Sequence, residues 1–257
     1  MSLRPIPNET QFNYQDPYNL TAGIMLSTMG VFGILSNASI LLIYVTHASE
    51  RNSFNTICAA KSIANLYNLI AVFGVIFVPT TFYGRTSWLT PQVSTALVCI
   101  GLALYAFNEN LTLLIAMNRC CAIFFPIHYR KLCGMRPTMT ILFCICLFRL
   151  VKVATEVYET LSLMCSLYFS PYILTWMLTD PEECDPHTDI LMFFGIFVLT
   201  TVMNVMTFMK IACFYRKSSQ LDKSSRERER KNIRLFFQTV LQDFLYVIDI
   251  AFTFKLG

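Results

Sequence analysis

Residues 97–125 read LVCIGLALYAFNENLTLLIAMNRCCAIFF, and their only charged side chains are Glu109 and Arg119. About 20 mostly apolar residues in a helix cross a hydrocarbon core near 30 Å thick, so this stretch predicts a membrane span. Runs of the same kind lie on either side, at about 20–45, 57–83, 138–160, 190–214 and 233–254. Apolar residues make up 55% of the 257-residue chain and charged residues 14%, against roughly 25% charged in soluble domains. The mean hydropathy is +0.52. Such a composition excludes a disordered chain, a collagen-like fibre and a disulfide-dense mini-protein. The expected fold class is all-α, a transmembrane helix bundle with six spans present. Residues 1–19 form an extracellular segment and residues 20–257 the membrane domain. The first twenty residues are polar, so no cleavable signal peptide is expected.

Orientation follows from the basic residues, which favour the cytoplasmic side when they sit in short loops. Arg130, Lys131 and Arg136 follow the third span. Arg216, Lys217, Lys223, Arg226, Arg228, Arg230, Lys231 and Arg234 follow the fifth. The opposite loops carry Arg85 alone and the acids Asp180, Glu182, Glu183, Asp185 and Asp189. An odd number of crossings then places the N-terminus outside, at the plasma membrane. Two glycosylation sequons agree, at Asn8 and at Asn19.

The fourth span departs from the pattern. Met139 to Phe148 supplies ten residues before Arg149, Lys152, Glu156 and Glu159, whose spacing puts all four on one helical face. One reading is a buried ion-pair stripe of the Lys152–Glu156 kind. The other, favoured on the sequence, is a misjoined exon or divergent insert, because a charge at the helix centre costs at least about 2.5 kcal/mol.

Short motifs then point to a family. The first span carries Gly33-Ile34-Leu35-Ser36-Asn37 and the second Ala64-Asn65-Leu66. The third ends Asn118-Arg119-Cys120-Cys121-Ala122-Ile123-Phe124-Phe125-Pro126, followed by Tyr129. Ser53-Phe54-Asn55-Thr56-Ile57-Cys58 precedes the second span, and Leu235-Phe236-Phe237-Gln238 with Leu241-Gln242 marks the sixth. Over about residues 26–254 the chain resembles nematode chemosensory receptors of serpentine receptor class X, within the rhodopsin-like superfamily. The resemblance implies a seven-helix G protein-coupled receptor. It also implies a small-molecule or peptide ligand, a heterotrimeric G protein partner and a location that includes sensory-neuron cilia. The family has a seventh helix, whereas this sequence stops at Lys255-Leu256-Gly257, so a seventh span is expected to be missing. A truncated non-signalling remnant is therefore one alternative, and a transporter subunit another. A transporter would show internal symmetry and helices broken by Gly or Pro at mid-membrane; here Pro79 lies near a span end.

The resemblance implies a coupling role for Arg119, with Asn118, Tyr129, Arg130 and Lys131 beside it. Asn118 stands where most rhodopsin-like receptors have an acid, so their ionic lock cannot form through that position. Asn37 and Asn65 are amides inside spans, where each needs a partner, and they read as a polar network or as packing glue. On the sixth span Gln238, Gln242, Tyr246 and Asp249 form one polar stripe. Glu109 lies ten residues from Arg119, about 15 Å up the axis. Glu109, Gln242, Tyr246 and Asp249 are the candidate ligand contacts. The segment around Tyr168-Phe169 and Leu174-Thr175-Trp176 resembles the family's second outer loop, with its two cysteines, and implies a Cys165–Cys184 disulfide. Cys99–Cys184 is the rival pairing.

Nothing reads as an enzyme. No Gly-rich phosphate loop, Cys-x-x-Cys spacing or shared histidine site is evident, since His47, His128 and His187 fall in different loops. No cofactor, metal or nucleic acid is expected, and the lipid bilayer is the expected surroundings.

Overall fold

A computed structural model describes residues 17–83, 89–163, 165–170, 175–178 and 190–217. The sixth span at 233–254, the segment 1–16 with Asn8, and Cys184 lie outside the described residues, as do Gln242, Tyr246 and Asp249.

Five helices among the described residues are long and apolar enough to cross a membrane: Leu20–Thr46, Ser53–Tyr83, Pro91–Phe124, Tyr129–Ser162 and Met192–Ile211. The first span is helix α1 (Pro17–Thr46), which ends in a short 3₁₀ turn at Ala48–Glu50. The second comprises α2 (Ser53–Tyr67), a π-helical stretch (Asn68–Phe77) and α3 (Val78–Tyr83). Helix α4 (Pro91–Phe124) is the third span. The four-residue α5 (Tyr129–Leu132) leads into α6 (Met135–Ser162), the fourth span. Strands β1 (Leu167–Ser170) and β2 (Thr175–Leu178) precede α7 (Ile190–Lys217), the fifth.

Local chemistry accounts for several of these ends. The Asn52 side chain accepts the Asn55 N–H at 2.9 Å and caps α2. Thr90 caps α4, with Pro91 at the first helical position; a proline is favoured there because its missing N–H would have no helical acceptor. The π-helical stretch runs up to Pro79. That residue has no N–H to give the preceding turn, and Gly74 within the stretch leaves the backbone loosely held. The bonds lengthen to i→i−5, with Val78 N–H reaching Phe73 O, so the second span widens without breaking.

Helix α4 is the most deeply buried span and packs against α2, α6 and α7. In the C-terminal half of α4, Leu111, Leu114 and Ile115 pack on Ile57 of α2 and Leu142 of α6. In its N-terminal half, Val98 and Cys99 pack on Ile76 and Phe77, and Leu167 and Phe169 of β1 complete the cluster. The hairpin was not foreseen in the sequence. Strands β1 and β2 pair antiparallel, with Phe169 opposite Trp176 and Leu167 opposite Leu178. Alternation turns Leu167 and Phe169 inward together. The Leu167 N–H donates to Thr95 Oγ1 at 3.1 Å, and Phe169 meets Phe77 edge to face at 4.8 Å.

Helix α1 approaches the second span through glycines, as small residues allow in lipid. A Cβ at Gly30 would overlap the Phe73 ring, and one at Gly33 would lie 2.9 Å from Leu69. Gly30→Val is expected to destabilise the chain by about 1–3 kcal/mol through overpacking, read as a lower unfolding midpoint in detergent micelles. Gly195→Ala is the control, since nothing lies within 4 Å of the added carbon.

The ten apolar residues and the charged stretch of the fourth span lie on one uninterrupted helix, α6. Lys152 Nζ lies 3.8 Å from Glu156 Oε1, but both side chains are partly exposed, at 27% and 39%, so the pair is not the buried stripe expected. Thr138, Leu142 and Arg149 are the buried residues of α6, which puts Arg149 on the face that packs inward.

Candidate sites in the helix bundle

An amide relay crosses the middle of the bundle. Asn108 of α4 donates through Nδ2 to Asn65 Oδ1 at 2.7 Å. Asn65 of α2 donates in turn to Asn37 Oδ1 at 3.1 Å. Asn37 closes the chain onto the Gly33 carbonyl of its own helix at 2.8 Å. One turn from Asn65, the Lys61 ammonium donates to Thr112 Oγ1 at 2.6 Å, and Thr112 donates to the Asn108 carbonyl at 3.0 Å. Three helices are thereby tied through side chains that hydrocarbon cannot solvate, and α4 is the common member.

Near the C-terminal end of α4, the Arg119 guanidinium sits over the Phe54 ring at 5.2 Å. Asn118 is buried, and among the described residues its Nδ2 has no hydrogen-bond partner. Phe54 opens α2, and its neighbour Ser53 lies 3.5 Å from the Tyr129 hydroxyl. Arg130 and Lys131 are exposed on α5. Lys210 of α7 caps the Phe124 ring at 4.2 Å. Two cation–π contacts therefore link the C-terminal end of α4 to its neighbours, α2 and α7.

Glu109 is buried near the middle of α4, one residue on from Asn108 and so turned to another face. Tyr105 of α4 meets Phe193 of α7 at 6.5 Å between ring centroids. Cys165, just before the hairpin, is disulfide-bonded, and Cys99 is free. The partner expected from the sequence, Cys184, lies outside the described residues. Asn19 falls in the first turn of α1.

Residues 28–257 match the family described as Serpentine type 7TM GPCR chemoreceptor Srx. The chain belongs to that family. It is also similar to an FMRFamide receptor of Drosophila melanogaster, at 26% identity over 163 residues, which cover 57% of this chain and 29% of that protein. The Srx chain thus spans less than a third of the relative it matches. Srx membership and the apolar helices make it a multi-pass membrane protein of the G protein-coupled chemoreceptor family.

Within this Srx receptor the structure brings together Asn37 and Asn65, and sets Arg119 and Tyr129 against the start of α2. Glu109 is buried next to Asn108 in the chain. Sequence reasoning missed Asn108, Lys61 and Thr112. A signal existed for each: Lys61 lies four residues before Asn65, on the same helical face, and Asn108 belongs to the polar run Asn108-Glu109-Asn110 inside an apolar span.

Proposed function

We propose that this chain binds a small-molecule or peptide ligand in the outer half of its bundle and signals to a heterotrimeric G protein through its cytoplasmic loops. The observation that carries the proposal is the reach of α4. This single helix carries Glu109 near its middle, joins the amide relay through Asn108, and has Arg119 close to the end proposed as the inner one. A ligand that prefers one arrangement of the bundle shifts its population, and α4 is the element through which that preference reaches Arg119. Arg119, Tyr129, Arg130 and Lys131 then serve as the coupling surface, with Asn118 beneath them. Glu109 and the sixth-span residues Gln242, Tyr246 and Asp249 serve as ligand contacts. Of the ten cysteines, Cys184 is the proposed partner of Cys165.

The orientation is part of the proposal: N-terminus outside, with Asn8 and Asn19 exposed to glycosylation, at the plasma membrane and, by family resemblance, in sensory cilia. An epitope ahead of Met1 is expected to stain on intact cells. An epitope within residues 218–230 should stain only after permeabilisation, and the reverse pattern would sink the assignment. Coupling itself is tested by nucleotide exchange on a co-expressed G protein in membranes containing the full chain.

A further inference from the structure

The coupling and relay residues leave one strongly charged group unused. Arg149 lies close to midway along α6, about 20 Å from either end, and is 6% exposed. One turn on, Lys152 has Glu156 at 3.8 Å. Arg149 has no such answer. Among the described residues no carboxylate lies within ion-pair distance of it. Its Nη2 faces the Met192 sulfur of α7 at 4.0 Å, and a thioether is a weak acceptor. Its buried Nε has no hydrogen-bond partner. The ring nearest the guanidinium is that of Phe148, at 5.5 Å.

A buried charge persists where it is paired, and a cation at membrane depth marks a functional site by default. Glu156, two turns on in α6, is the carboxylate whose charge acts on Arg149 across space, and among the described residues no anion bonds to the guanidinium directly, so the proposed partner is an anion brought from elsewhere. The planar guanidinium fork matches a carboxylate in a two-bond arrangement. The groups in contact with it, Met192 and Phe148, are apolar or aromatic. The mid-span depth is too great for a lipid headgroup. We propose that Arg149 anchors a carboxylate-binding subsite between α6 and α7, for a small ligand carrying its carboxylate on an apolar or aromatic body. This deepens the receptor reading, and rests on it, by naming the chemical class of ligand.

The test is thermal unfolding of the full chain in detergent micelles with phenylacetate, octanoate, their methyl esters and chloride. At least one of the two carboxylates is expected to raise the unfolding midpoint by about 2–4 °C, while the esters and chloride leave it unchanged. Arg149→Gln should lose the response, and Arg149→Lys should keep part of it. Without ligand, Arg149→Met should unfold at or above the wild-type temperature, because it removes an unpaired buried charge; an arginine with a purely structural role would give a lower midpoint. The subsite is overturned by the absence of a shift with both carboxylates, by an equal shift with an ester or with chloride, by a shift that survives in Arg149→Gln, or by a destabilised Arg149→Met. The readout needs no G protein. Failed nucleotide exchange with an intact carboxylate response would therefore reject the receptor reading and leave the subsite standing, and the opposite result would reject the subsite alone.

Discussion

Asn65→Leu is expected to destabilise the chain by about 2–4 kcal/mol, a fall of roughly 4–16 °C in the unfolding midpoint. Asn65 is the middle of the relay, accepting from Asn108 at 2.7 Å and donating to Asn37 at 3.1 Å. Leucine keeps the branched shape and removes both functions. The Asn108 amide and the Asn37 carbonyl oxygen are then left at the helix interface, where leaving each group unmet costs about 1–3 kcal/mol. Asn65→Asp is the informative control, since it preserves the acceptor that faces Asn108. It should retain more stability than the leucine variant. The double variant with Asn37→Ala should be less destabilised than the sum of the singles, because both single substitutions break the same bond. Strict additivity would show that the two amides do not interact, and the relay would then be ordinary packing.

The second large effect concerns signalling. Arg119→Ala is expected to abolish nucleotide exchange on the G protein, while Phe54→Ala raises ligand-free exchange roughly 2- to 30-fold, the range that a cation–π contact of about 0.5–2 kcal/mol allows. Asn118 cannot supply the negative charge that an ionic lock needs. In its place the guanidinium rests over the Phe54 ring at the start of α2. If this contact holds the resting arrangement, removing the ring frees Arg119 for the G protein and raises basal activity. Phe54→Trp, with a stronger π face, should lower it. Should Phe54→Ala reduce exchange as Arg119→Ala does, Phe54 would belong to the coupling surface and not to a restraint.

Reading the chain residue by residue shows where sequence sufficed. The span around Glu109 and Arg119 was legible because lipid requires a long apolar run, and such a run shows in composition alone. The fourth span was legible in extent, at about 138–160, but the placing of its charges was not. The helix runs unbroken to Ser162, with Arg149 turned inward and Lys152 beside Glu156. The β1–β2 hairpin escaped notice because short strands of Leu, Tyr, Phe and Thr look like any apolar loop until a partner surface exists. That surface is Thr95, Phe77 and Val98, brought there from other spans. The π-helical widening before Pro79 was equally invisible, since its register depends on how tightly α1 and α4 press on Val72 and Phe73.

From sequence alone came the solvent, the helical class, the motifs of the family and the presence of amides where hydrocarbon would reject them. These follow from local composition and spacing, which each residue carries wherever it lies. Tertiary structure alone decided which amide meets which, that Asn108 is the member binding Asn37 and Asn65 to the central helix, and that among the described residues no carboxylate pairs directly with Arg149. Hydrogen bonds and ion pairs act over about 3–4 Å, and only the packing of the spans brings residues 28 or 43 positions apart within that distance.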